Sequence, residues 1–278
     1  MIVGRWVDDR SWTKHRTVLV AIAVVTMTGT VADAQGRGTA TPGPPQTAKQ
    51  IAPQDLTGYW VSVVGKEWRF RMVVPQKGDF FGDFGGIPIN AEARRVANTW
   101  DPAADEAAHE ECRGFGAAGV MRVPGRLHIT WQDDNTLRVD TDAGTQTRLL
   151  RFTGAPAAAG EATWQGTSAA RWVLPRGARG RQGGASQQPN ASRDGSLEVM
   201  TTNMRSGYLR RNGVPYSDRA AMTEFWDSFD EPDGTTWLVI TTTIVDPTYL
   251  QMPYETSPVF KREPNGAKWD PSPCSARW

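Results

Sequence analysis

A chain of 278 residues carrying 31 basic and 30 acidic side chains is nearly neutral. That excludes nucleic acid and anionic membrane surfaces as its main partners, because both demand a basic excess. The length suits one large β domain or two small ones and buries a core without relying on staples.

Residues 1–34 are expected to be a signal peptide. Lys14, His15 and Arg16 form a basic start, Thr17 to Val31 is an apolar run, and Ala32-Asp33-Ala34 has the small-x-small pattern that places cleavage before Gln35. The apolar run is too short for a stable membrane span, and no later segment is apolar enough for one. A periplasmic or secreted location with no integral membrane span is therefore expected. Cleavage removes four basic and three acidic residues and leaves 27 of each sign. Residues 35–54, rich in Gly, Pro, Thr and Gln, are expected to be a disordered leader, and 55–278 a single β-barrel domain.

Trp60–Val64 reads as the first strand. Glu67–Val74 reads as the second, with Trp68, Phe70, Met72 and Val74 alternating against polar residues. Residues 75–88 are a Gly- and Phe-rich loop whose GDFFGDFGG run lacks the following lysine and the strand-to-helix context that a phosphate cradle needs. A helical insertion follows over 89–113, with helices Ala91–Thr99 and Ala103–Arg113 capped by Asn90 and Asp101. The stretch DEAAHEE within it reads as a solvated acidic face. Beyond residue 34 the chain holds only His109 and His128, so no metal site and no cofactor are expected.

The centre of the chain, Arg122 to Phe152, reads as three strands and two tight turns. Leu127, Ile129 and Trp131 alternate with Arg126, His128 and Thr130, and Leu137 and Val139 with Arg138 and Asp140. Alternation with period two marks an antiparallel meander with one buried face. Further strands are expected at Thr163–Leu174, Ser196–Met204, Ala220–Asp230, Thr236–Asp246 and Tyr254–Lys261. Residues 175–195 form a flexible loop, Arg205–Asp218 a polar, aromatic connection, and Glu231-Pro232-Asp233-Gly234 a hairpin turn. The predicted fold is all-β: an antiparallel meander of nine to eleven strands closing into a barrel, with a short helical insertion after the second strand. The two cysteines, Cys112 and Cys274, allow a single disulfide from the end of a helix to the tail.

Gly58-Tyr59-Trp60 resembles the G-x-W motif on the first strand of lipocalins. The resemblance implies an up-and-down barrel whose closed end is crossed by Trp60 beneath a basic residue near the last strand, Lys261 or Arg262. The chain departs from that family in its length, its early helix and the lack of a middle motif. The segments MRVPGRLHITWQDDNTLRVDTDAGTQTR, NGVPYSDRA, IVDPTYL and WDPSPCSAR resemble a group of exported bacterial proteins of unknown function, implying a shared fold and an envelope location.

Three functions compete. The first is a lipocalin-like protein binding a small lipophilic molecule, with Trp131, Trp164, Phe225 and Trp226 shaping the cavity and Arg148, Arg205, Tyr208 and Tyr216 orienting the ligand. The second is a cofactor-free isomerase, cyclase or hydratase using His128 and Glu224 as acid and base, with Asp140 beside His128. Against it, alternation with Leu127, Ile129 and Trp131 favours the wet face for His128, and Glu224 can pair with Arg148, Arg205 or another strand arginine. The third is a non-catalytic envelope interaction protein with a packed interior.

Overall fold

The computed structural model describes residues 45–64, 84, 86–153, 160–174, 195–210 and 213–277. The predicted signal peptide, the second strand, most of the Gly/Phe-rich loop and nearly all of the flexible loop lie outside these residues. The strands are β1 Gly58–Ser62, β2 Arg126–Asp133, β3 Thr136–Thr141, β4 Ala143–Gly144, β5 Gln146–Arg151, β6 Thr167–Val173 and β7 Ser196–Thr202. They continue with β8 Gly207–Arg210, β9 Val214–Tyr216, β10 Ala221–Asp230, β11 Thr236–Val245, β12 Tyr254–Thr256, β13 Val259–Glu263 and β14 Ser272–Pro273.

Nine of these close a barrel in the order β10-β7-β6-β5-β3-β2-β1-β13-β11, with β11 pairing back to β10. Eight junctions are antiparallel. The ninth, β5 with β6, is parallel and registers only Leu150 with Ser168 and Arg151 with Ala169. The sheet is thus mixed rather than purely antiparallel. The cause is geometric: strand direction must return to itself around a ring, so an odd number of strands requires at least one parallel pair.

Inward-facing residues fill the lumen. Trp60, Leu127, Ile129, Leu137, Val139, Leu150, Leu197, Val199, Trp226, Leu238, Ile240 and Phe260 form one continuous buried cluster. At roughly 25 cal/mol per Å² of apolar surface removed from water, this is the main source of the barrel's stability. Arg262, rather than Lys261, takes the place implied by the lipocalin resemblance: its guanidinium carbon lies 4.5 Å from the centre of the Trp60 ring. Lys261, one residue earlier, faces Trp237 instead, at 6.0 Å.

The two barrel ends are closed differently. At one end sit α1 (Ala91–Asn98), α2 (Pro102–Ala107), a 3-10 turn at Glu111–Phe115 and α3 (Ala117–Val120). Asn90 and Asp101 cap α1 and α2, accepting from the main-chain N–H groups of Ala93 and Ala103 at 2.9 Å each. The segment Arg205–Asp218 is not a plain connection. It contains a separate two-stranded sheet, β8 with β9, whose Leu209, Val214 and Tyr216 join Ile89, Ala93, Ala97, Met222 and Ile244 in a second core. This cap seals the barrel where β7 ends and β10 begins.

At the opposite end, residues 45–57 lie across the mouth as a strap. They were expected largely within the disordered leader. Main-chain and amide hydrogen bonds hold them: Ala48 N–H donates to Asn135 Oδ1 at 2.9 Å, and Lys49 N–H to the Asp134 carbonyl at 3.0 Å. The Trp172 indole donates to the Ala48 carbonyl at 2.8 Å. Gln54 donates to the Trp226 carbonyl at 2.8 Å and accepts from Ser228 N–H at 2.7 Å. Few of these bonds depend on apolar side chains in the strap, so its hydropathy did not reveal it.

The tail runs outside the wall. Trp269 meets Tyr59 edge-on at 5.9 Å, β14 pairs in parallel with β4, and Cys274 forms a disulfide with Cys112 across 162 residues. The expected second tight turn is therefore the short strand β4. Gly144 within it has φ +76°, and the ring of Phe115 occupies the space a Cβ would need. Replacing both cysteines by serine is expected to lower stability by roughly 2–5 kcal/mol in urea unfolding, because the open chain regains the entropy of a long loop. An unchanged midpoint would show that the tail is held by its pairing alone.

Candidate functional site

Inward parity on β5 and β10 places Arg148 and Glu224 inside the barrel, at the boundary between the lumen core and the cap core. Both side chains are fully buried. Arg148 donates through Nη1 to Glu224 Oε1 at 3.1 Å and through Nη2 to Oε2 at 2.6 Å, a two-pronged pair. Nη2 also reaches Thr201 Oγ1 at 3.3 Å, and the Thr201 and Ser168 hydroxyls share a hydrogen bond at 2.8 Å. The layer draws on β5, β6, β7 and β10, and so crosses the short parallel seam from inside. Of the partners considered for Glu224, the structure selects Arg148. Such a pair loses much of its Coulombic gain to desolvation, but either charge left alone in this interior is strongly unfavourable.

His128 lies on the other face of the wall. It alternates with Leu127 and Ile129, which are buried, and stacks on Tyr59 with centroids 4.1 Å apart and planes 4° from parallel. Trp269 covers the pair edge-on, 6.0 Å from His128. Asp140 stands directly opposite His128 on β3. Its carboxyl lies below the usual carboxylate range: burial pushes it up, but hydrogen bonds from Arg138 and Thr147 outweigh that. His128 and Asp140 are thus brought together, while Glu224 is separated from both by the barrel wall.

The expected ligand-binding residues divide among four places. Trp226 is buried in the lumen core. Phe225, its neighbour, is exposed on the outer wall. Tyr216 is buried in the cap, and its hydroxyl is pushed up by that burial. Tyr208 donates to the Asp105 carboxylate at 2.9 Å beside Arg113. Arg205 pairs with Glu110 and lies 4.4 Å from the centre of the Trp164 ring, on the cap's flank. Among the described residues, no group of three or more His, Cys, Asp or Glu side chains gathers in metal-binding geometry.

Of this set, Trp131 lines the crevice at the strap-covered mouth. There it joins two aromatic residues not singled out as ligand contacts, Phe152 and Trp172. Trp131 and Phe152 lie 5.6 Å apart, and Phe152 and Trp172 lie 5.2 Å apart, both tilted by 35°. All three are half-buried against the lumen core. Between Trp131 and strap residues Lys49 to Thr57 runs an open crevice of about 530 Å³. The signal that would have grouped them is positional: each ends the inward-facing series of its strand on the same rim.

Replacing Arg148 by Met or Glu224 by Leu singly is expected to cost about 3–5 kcal/mol in urea unfolding, because each strands a buried charge. The double replacement should cost far less than the two singles together. Additive losses would mean the two side chains are not coupled. Compared with protein-family models and with curated proteins, the chain matches none, and the functional reading rests on this geometry.

Proposed function

We propose that the chain is an exported, lipocalin-like protein that binds a small, largely apolar ligand at the strap-covered mouth of the barrel, outside the packed lumen. The observation that carries this reading is that Trp131, which packs on Phe152 and through it on Trp172, lines an open crevice under the strap. Ligand pockets are commonly ~300–1,000 Å³, lined by aromatic side chains with a few polar groups. The crevice fits that size, and Lys49, Gln54 and Asp55 supply polar groups along one wall. Arg148, Tyr208 and Tyr216, expected to orient the ligand, are engaged elsewhere and have no part in this site.

Export is supported by the disulfide, which persists in oxidising compartments. No helix among the described residues is long and apolar enough to cross a membrane. The basic, apolar and small-x-small segments before residue 35 point the same way. A second reading, a non-catalytic envelope interaction protein, draws on the filled lumen and on exposed Met200, Phe225 and Phe229 along the outer wall of β7 and β10.

The test is a panel of fatty acids, terpenoids and polycyclic aromatics titrated against tryptophan emission. At least one class should give saturable quenching, and Trp131→Ala should weaken it by roughly tenfold, the effect of removing an aromatic anchor, while the circular dichroism of the folded barrel is retained. No response across the panel would reject ligand binding and favour the interaction reading.

A further inference from the structure

Trp131, Ala52 and Pro53 give the crevice under the strap its apolar lining, and Lys49, Gln54, Asp55 and Thr57 its polar groups. The four polar groups are not equally free. The Gln54 amide is fully engaged: Nε2 donates to the Trp226 carbonyl at 2.8 Å, and Oε1 accepts from the Ser228 N–H and hydroxyl at 2.7 Å each. The Thr57 hydroxyl donates to Asp55 Oδ1 at 2.7 Å, and the Thr57 N–H donates to the same oxygen at 2.9 Å. Asp55 Oδ2 lies 3.9 Å from Arg262 Nη1, and Arg262 also donates to the Asp55 carbonyl. The Asp55 charge is therefore partly answered from the barrel wall.

Lys49 differs from the other three. Its main-chain N–H donates to the Asp134 carbonyl at 3.0 Å, and the neighbouring Ala48 N–H donates to Asn135 Oδ1 at 2.9 Å. The Ala48 carbonyl accepts from the Trp172 indole at 2.8 Å. These bonds pin the backbone that carries Lys49, so its side chain starts from a fixed point on the crevice wall. Among the described residues its ammonium makes no ion pair and no side-chain hydrogen bond. An ammonium offers three donors and a full charge, and a charged acceptor binds it more strongly than a neutral one. The Trp131 ring opposite offers apolar area. Together they suit a molecule with a negative head and an apolar body. A cationic head is repelled by Lys49, and Asp55, which could offset that, already has partners.

We propose that the crevice ligand is an amphipathic organic acid, its carboxylate met by the Lys49 ammonium and its apolar body lying on Trp131 and Pro53. The assignment rests on the mouth being a ligand site and adds the head group that selects among lipophilic compounds.

The experiment titrates three molecules with one tail, dodecanoate, dodecanol and dodecylammonium, against tryptophan emission of the full chain at low ionic strength, below their micelle-forming concentrations. Dodecanoate should bind about three- to fivefold more tightly than dodecanol, the effect of a solvent-exposed ion pair, and dodecylammonium more weakly than dodecanol. Added sodium chloride should narrow the gap between dodecanoate and dodecanol, because exposed charges are screened. In Lys49→Met, which keeps an apolar stem without the charge, the ratio of the two constants should fall to about one. Dodecanol binding as tightly as dodecanoate to the wild type overturns the head-group assignment and leaves the apolar site standing. So does a preference for dodecanoate that survives Lys49→Met. Silence of all three molecules overturns the assignment as well, and the site itself falls only if the terpenoids and polycyclic aromatics are also silent.

Discussion

Nine strands cannot alternate direction all the way round a ring, and the rest of this structure accommodates that fact. The parallel junction between β5 and β6 is the place where alternation fails, and only two residue pairs register across it. Main-chain bonding is therefore weakest there. Side chains supply what the ladder lacks: the Arg148–Glu224 pair with Thr201 and Ser168 spans it from within, and Phe152 packs on Trp172 across it at the rim. A fully buried ion pair adds little net stability, but it penalises arrangements in which its partners are apart. Its position over the seam gives that penalty a structural purpose, since sliding or parting of β5 and β6 separates the charges.

With the lumen filled by Trp60, Trp226, Phe260 and their neighbours, the places where this barrel can meet other molecules are its two ends and its outer wall. The ends differ in kind. The cap is a second apolar core with polar groups trapped at its margins, and Arg122 is among them. The strap enters the apolar core through Leu56 and is otherwise held by bonds to its main chain and to the Gln54 amide. Segments bound in this way open at lower free energy than the strands they cover, which makes the strap end the more accessible of the two.

Period-two alternation made most of the barrel legible in the chain itself. Leu127 to Trp131, Leu137 to Val139 and the paired strands of β10 and β11 follow it closely, and the caps at Asn90 and Asp101 and the turn at Glu231 to Gly234 obey local chemistry. The parallel seam was hidden because it depends on the number of strands and not on any residue. The β8–β9 hairpin was hidden because Tyr208, Pro215 and Tyr216 read as loop residues, although all are buried in the cap. Among candidate site residues, parity placed Glu224 inside and His128 outside, which is where they are. It could not show that Trp131 belongs with Phe152 and Trp172, because that grouping comes from the tilt of strands around the barrel.

The course of the tail has a mechanical consequence. After β13 the chain runs back along the outer wall, past Tyr59 and His128, and is bonded covalently to the helical cap at Cys112, with Arg277 paired to Glu106. A load applied at the carboxyl terminus is therefore delivered to the cap and not to β13. The last barrel strand, which would otherwise be the first to peel from its neighbours under tension, is shielded by a covalent shortcut, and a tether attached there pulls on the opposite end of the molecule from the strap.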